Sequence, residues 1–242
     1  MNNLLLYLSH SFQGDIFKIH KWLQGDNKIS NLEVQKIQEE YRKLGIKFLT
    51  PLDWNFPISL FNSNFPPFVI FYYGNIKLLN KEKLISIINE IVDFKTDFFL
   101  KRILKIDFSK TVLVVGNYKK SEQRLIDEVR KRNGQIIQVL AGGIDQVLDA
   151  DRNWENELVL SIFPIKTHPQ RHYFKQVNHL IASISQNLIV ISSIKNSKTH
   201  NLVNAFLSYG KQIYCFPGLN IEDGNTQLLK DGATLITDIH EI

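Results

Sequence analysis

The sequence predicts an α/β domain built on a parallel or mixed sheet and preceded by a small helical region. Three observations lead there. From residue 81 onward short apolar runs recur: "KLISII" (83–88), "TVLVVG" (111–116), "QIIQVL" (135–140), "LVLSIF" (158–163), "NLIVIS" (187–192) and "QIYCF" (212–216). The runs are apolar on both strand faces, and helical spacing fills most of the intervals between them. Strands of that kind, separated by helices, form a parallel sheet covered on each side. Before residue 45 the chain instead reads helical.

Taken in order, "SNLEVQKIQEEYRKLGI" offers Ser30 or Asn31 as a helix cap and Gly45 as the stop, with Leu32, Ile37, Tyr41 and Leu44 at approximate helical spacing. Pro57, Pro66 and Pro67 then mark extended chain and a change of organisation. That puts a boundary between a helical region, 1–62, and a sheet domain, 63–242. Within the latter, "KKSEQRLIDEVRKRNG" is the clearest helix: Leu125, Ile126 and Val129 share one face, and Gly134 is the expected C-terminal stop.

The 242 residues, 44% apolar with 16 Phe, suffice for one sizeable domain or for one domain and a small companion. Cys215 is the single cysteine, which excludes an intramolecular disulfide and makes the cytoplasm the expected location. No run of about twenty apolar residues predicts a membrane span, and "MNNLLLYLSH" has neither the length, the charge nor the cleavage site of a secretory signal. A net charge of +5 and a pI of about 9.1 tilt the chain weakly toward an anionic partner.

Parallel sheets bind ligands at the carboxyl ends of their strands. Gly116, Lys119 and Lys120 follow one run. They suit a phosphate on the N–H groups of a starting helix, or a plain turn with solvated lysines. Gly142 and Gly143 follow the next, where they admit a close-lying ligand or make a tight turn. Asp145 beside them could touch a ribose hydroxyl or cap a turn. Ser197, Lys198 and Thr199 suit an oxyanion and equally suit a helix cap. Gly218, Asn225 and Thr226 read as a loop closing the sheet edge.

"RHYFKQVNHLIASISQNLIVIS" (171–192) gathers cations and rings ahead of an apolar helical pattern. With a helix start near Phe174, Val177, Leu180, Ile181 and Ile184 form the stripe that packs on the sheet. Phe174, Lys175 and Asn178 form a second stripe about 110° round, and Arg171 projects beside it. One reading is a solvated face with a ring tucked into a crevice. The other is a groove for single-stranded nucleic acid, with Arg171 and Lys175 on phosphates and Phe174 or Tyr173 stacked on a base.

No enzyme constellation competes. The seven His lack metal-binding spacing, so no metal and no cofactor are expected. Cys215 falls within an apolar run and reads as packing. Asp145, Asp149 and Asp151 cluster without declaring an acid–base pair.

The order of motifs resembles the DprA/Smf family of DNA-processing proteins. "FLTPLDWNFPISLFNSNFPPFVIFYYGN", "VLAGGIDQV", "HPQRHYFKQVNHLIASISQNLIVIS", "GKQIYCFPG" and "GNTQLLKDGATLIT" each resemble a family segment, in the family's order and at matching spacing. Where that family has Gly-Ser-Arg after its first strand, this chain has Ile88-Asn89-Glu90; its Arg-Asn-Arg becomes Val177-Asn178-His179. Arg171 and Phe174 fall where the family places a basic DNA contact and a base-stacking ring, and Asn178 matches its Asn. Lys119, Lys120, Lys175 and Lys198 appear near the altered loops. The resemblance implies an extended Rossmann-like domain. It implies non-catalytic binding of single-stranded DNA, transfer of that DNA to the recombinase RecA in recombination or natural transformation, and a homodimer. The alternatives are a nucleotide or nucleoside-phosphate enzyme on the same fold, and a relative acting only through protein–protein contacts.

Overall fold

A computed structural model describes residues 1–63, 66–116, 120–148 and 152–242. Helices α1 (Asn2–Ser11), α2 (Ile16–Leu23) and α3 (Asn31–Lys43) come first, followed by β1 (Lys47–Leu49), α4 (Ile58–Phe61) and β2 (Ile70–Gly74). Strands and helices then alternate: β3 (Lys83–Asn89), α5 (Phe94–Ile103), β4 (Thr111–Val115), α6 (Lys120–Arg130), β5 (Gln135–Leu140), β6 (Glu157–Ser161), α7 (Tyr173–Ile184), β7 (Asn187–Ser192), α8 (His200–Ser208), β8 (Gln212–Cys215), α9 (Gly224–Lys230) and β9 (Thr234–Leu235). The chain divides into two compact units, residues 1–76 with 140–174, and residues 77–139 with 175–242.

In the first unit β2 pairs antiparallel with both β1 and β6, setting Phe71 opposite Phe48 on one side and Ser161 on the other. Prolines on either side of α4 signal extended chain but carry no pairing information, so these antiparallel partners were not legible. Tyr41 of α3 is buried and stacks on Phe71 with ring centroids 5.1 Å apart. Leu5, Leu6, Ile46, Val159 and Ile165 complete that core. Ser30, not Asn31, caps α3: its hydroxyl accepts the Leu32 N–H, and Glu33 closes a capping box onto the Ser30 N–H. Gly45 takes a φ of +67° just beyond α3, which favours glycine.

In the second unit the strand order is β5-β4-β3-β7-β8-β9, and the neighbours all pair parallel. Antiparallel pairing in the first unit and parallel pairing in the second give the chain mixed rather than purely parallel strand pairing. Leu125, Ile126 and Val129 of α6 are fully buried, as their spacing predicts, against Leu113, Ile136 and Phe108. The stop of α6 needs a correction. Asn133, with φ +52°, takes the left-handed conformation, and Gly134 does not. Gly134 is there because a Cβ would come within 2.4 Å of Val129 Cγ1.

Candidate nucleic-acid interface

The strand order of the second unit reverses at β3. From β3 the chain moves out to β4 and β5, then returns to place β7 on the other flank of β3. A crevice at the carboxyl ends of two such strands is where open α/β sheets hold ligands. Here the crevice is internally occupied. The Glu90 carboxylate, one residue past β3, accepts the Ser197 hydroxyl at 2.7 Å and the Ile194 N–H at 2.9 Å. Ser192 supports the same corner by donating to Asn89 Oδ1 at 2.8 Å, while its backbone oxygen accepts the Glu90 N–H. A built-in carboxylate sits where a phosphate-binding turn would offer N–H donors.

Ser197 is therefore engaged within the chain, and its Oγ also accepts the Thr199 N–H. Thr199 is buried, whereas Lys198 between them is exposed. Gly116 is buried at the end of β4. Lys119 lies outside the described residues, and of Lys120 only its place at the start of α6 is described. Asp149 and Asp151 also lie outside them. Asn225 ties β7 to β8 by donating to the Ile191 and Phe216 carbonyls at 3.0 Å each and accepting the Ser193 hydroxyl. Burial pushes the Cys215 thiol up to about 12, consistent with packing.

In the first unit Gly142 and Gly143 are buried against their own chain. A Cβ on Gly142 would lie 2.6 Å from the Thr167 carbonyl, and one on Gly143 would lie 2.8 Å from that of Pro164. The Gly143 N–H donates to Thr167 O at 2.9 Å. Asp145 accepts the Lys166 N–H at 3.0 Å, fixing a residue whose φ is +64°. The Tyr41 hydroxyl accepts the Ile165 N–H. The glycines thus admit the loop 164–167, which leads toward Arg171. Phe163 packs on Tyr173 with ring centroids 4.1 Å apart, so Tyr173 is a packing ring at the start of α7.

Along α7 Val177, Leu180, Ile181 and Ile184 are buried, as the first stripe predicts. On the second stripe Lys175 is exposed, and Phe174 and Asn178 are half-buried; Arg171, just upstream, is exposed. Arg171 carries no ion pair among the described residues. His179, next on the helix, is held below its ordinary value, first by burial and then by the Lys175 charge. At the far end Lys211 Nζ donates to the Ala182 and Ser183 carbonyls at 2.6 and 2.8 Å, and burial pulls its ammonium down to about 8.

Residues 47–242 match the family model described as DNA recombination-mediator protein A. Over 230 residues the chain is 25% identical to the DNA processing protein DprA of Bacillus subtilis, covering 87% of this chain and 74% of that one. It is 22% identical to the protein Smf of Synechocystis over 227 residues, covering 88% of this chain and only 57% of that relative. The fold matches DNA processing protein A of Streptococcus pneumoniae with a TM-score of 0.76 at 20% identity, covering 100% and 96% of the two chains. It also matches, with a TM-score of 0.68 at 20% identity over 81% and 93% of the chains, a DNA processing protein A of Helicobacter pylori whose structure was described for its single-stranded DNA binding mode.

Proposed function

The chain belongs to the DNA recombination-mediator protein A family, and from that premise we propose that it binds single-stranded DNA without catalysis, protects it and passes it to the recombinase RecA. The observation that carries the reading is the start of α7. Arg171 and Lys175 present cations to solvent around the half-buried ring of Phe174, with Asn178 one turn on. Phosphate neutralisation by the two cations and stacking on the ring are the only chemistry such binding asks for. Lys198 adds a further exposed cation in the second unit.

Glu90 argues against a nucleotide enzyme at the strand ends. A phosphate there would meet a carboxylate that already holds the Ser197 hydroxyl and the Ile194 N–H. In this reading the strand is gripped from α7, and the protein acts in the cytoplasm as a homodimer.

Fluorescence anisotropy on labelled oligo-dT, titrated with salt, tests the proposal. Binding that weakens with salt and drops in an Arg171→Ala, Phe174→Ala double variant is the expected result. A saturable thermal shift with a mononucleotide, and none with oligo-dT, would replace it with the enzyme reading. Sedimentation across concentrations tests the homodimer, and pull-down with purified RecA tests the handover.

A further inference from the structure

Beyond α7, the second unit carries an aromatic and cationic face that the proposed function does not use. Helix α5 buries Thr96, Leu100 and Ile103. Its opposite side sets Phe94, Phe98 and Lys101 at i, i+4 and i+7, within about 60° of one another around the axis. Phe94 is 79% exposed and Phe98 54% exposed, which is unusual for two benzyl rings one turn apart. Lys101 and Lys95 are exposed beside them.

The carboxylates of this helix are largely engaged elsewhere, though, beside the Thr96 N–H, the Lys95 charge also helps to hold Asp93 ionised. Asp93 accepts the Lys95 and Thr96 N–H groups at 2.9 and 2.8 Å as the helix cap. Asp97 is paired with Arg124 at 2.8 Å. One ring already serves as a platform for a flat cation, since the Arg102 guanidinium carbon lies 4.6 Å from the Phe98 centroid. Phe94 follows Glu90 by four residues and opens α5, just past the loop leaving β3. So the turn whose carboxylate fills the crevice is followed at once by a solvent-exposed ring, with the Lys95 ammonium 5.9 Å from its centroid.

From this we infer that Phe94, backed by Phe98 and flanked by Lys95 and Lys101, is a second base-stacking platform for single-stranded DNA, taking over from the carboxylate-filled crevice beside it. The inference rests on the proposed function and extends it. Charge complementarity selects this occupant: the face joins π-surfaces to the exposed ammonium groups of Lys95 and Lys101, which suits bases strung on phosphates.

The test compares oligo-dT with an abasic oligomer of equal length and charge, for the wild type, Phe94→Ala, Phe94→Leu and Phe94→Tyr. Phe94 is exposed, so the variants should keep the wild-type melting temperature, and a scan confirms that they fold. The wild type should prefer dT. The Ala and Leu variants should lose about tenfold in dT affinity, with unchanged abasic binding and an unchanged salt slope, while Tyr restores the preference. If Phe94→Ala and Phe94→Leu keep the wild-type preference for dT, the platform is overturned while DNA binding through α7 stands. If Leu binds as well as Phe, or if the loss follows a change from dimer to monomer by light scattering, the face is a protein-docking surface and the inference fails. If the wild type binds neither oligomer, the proposed function falls and takes this inference with it.

Discussion

The Glu90 carboxylate holds the Ser197 hydroxyl at 2.7 Å, across the boundary between β3 and β7 where the strand order reverses. An internal anion thus satisfies donors that an incoming phosphate would otherwise use, and its charge repels one. Glu90→Gln keeps an acceptor oxygen for Ser197 and Ile194 but removes the charge. We expect oligo-dT affinity to rise a few-fold by anisotropy, with melting lowered by no more than about 1.5 kcal/mol of stability. Weaker DNA binding in this variant would show that the carboxylate helps rather than hinders.

Arg171 and Lys175 are exposed, so replacing them should leave folding intact. Each phosphate contact on a single strand contributes about 0.7 to the slope of log K against log salt. The Arg171→Ala, Lys175→Ala double variant should lower that slope by about 1.4, because the two contacts add. An unchanged slope would remove both residues from the interface.

Gly142→Ala should destabilise the first unit. Its new methyl would sit 2.6 Å from the Thr167 carbonyl, a backbone atom that cannot swing aside. Overpacking of this kind costs about 1–3 kcal/mol, measurable as a lower urea midpoint. Asp145→Ala should cost a similar amount by stranding the Lys166 N–H. If DNA affinity fell in Gly142→Ala with no loss of stability, the glycine would be facing ligand rather than loop.

Acid should weaken the fold before the carboxylates titrate. Burial holds His10 and His179 below the ordinary 6.5. The unfolded chain then binds more protons than the folded one once pH falls below 6.5, so stability drops as pH moves from 6.5 down through the folded values and then levels. Well above 6.5 both states are neutral and these groups contribute no slope. The urea midpoint should fall between about pH 7.5 and about pH 5, and less so in a His10→Gln, His179→Gln variant. A midpoint flat over that interval would show that neither ring is held neutral.

Patterns carried on neighbouring residues were legible. The apolar runs lie within one or two residues of β3 to β8, and the buried stripes of α6 and α7 follow helical spacing. What depends on distant residues was not. Gly142 and Gly143 announce a close approach, but nothing local says that the approaching group is the loop 164–167. Ser197 reads as an oxyanion donor until Glu90, 107 positions earlier, is brought against it. Nothing in the local pattern singles out Phe94 among 16 Phe. Only the direction in which α5 buries Leu100 and Ile103 turns it outward.

The place of β3 between β4 and β7 also bears on how the chain is made. β4 leaves the ribosome soon after β3, but β7 follows about a hundred residues behind. At ordinary synthesis speeds that gap lasts roughly 5–20 seconds. Throughout it, one flank of an apolar strand waits with its hydrogen-bonding groups unpaired. A transcript truncated ahead of β7 would leave that flank permanently open, and its product should accumulate as insoluble aggregate rather than as a shortened soluble protein.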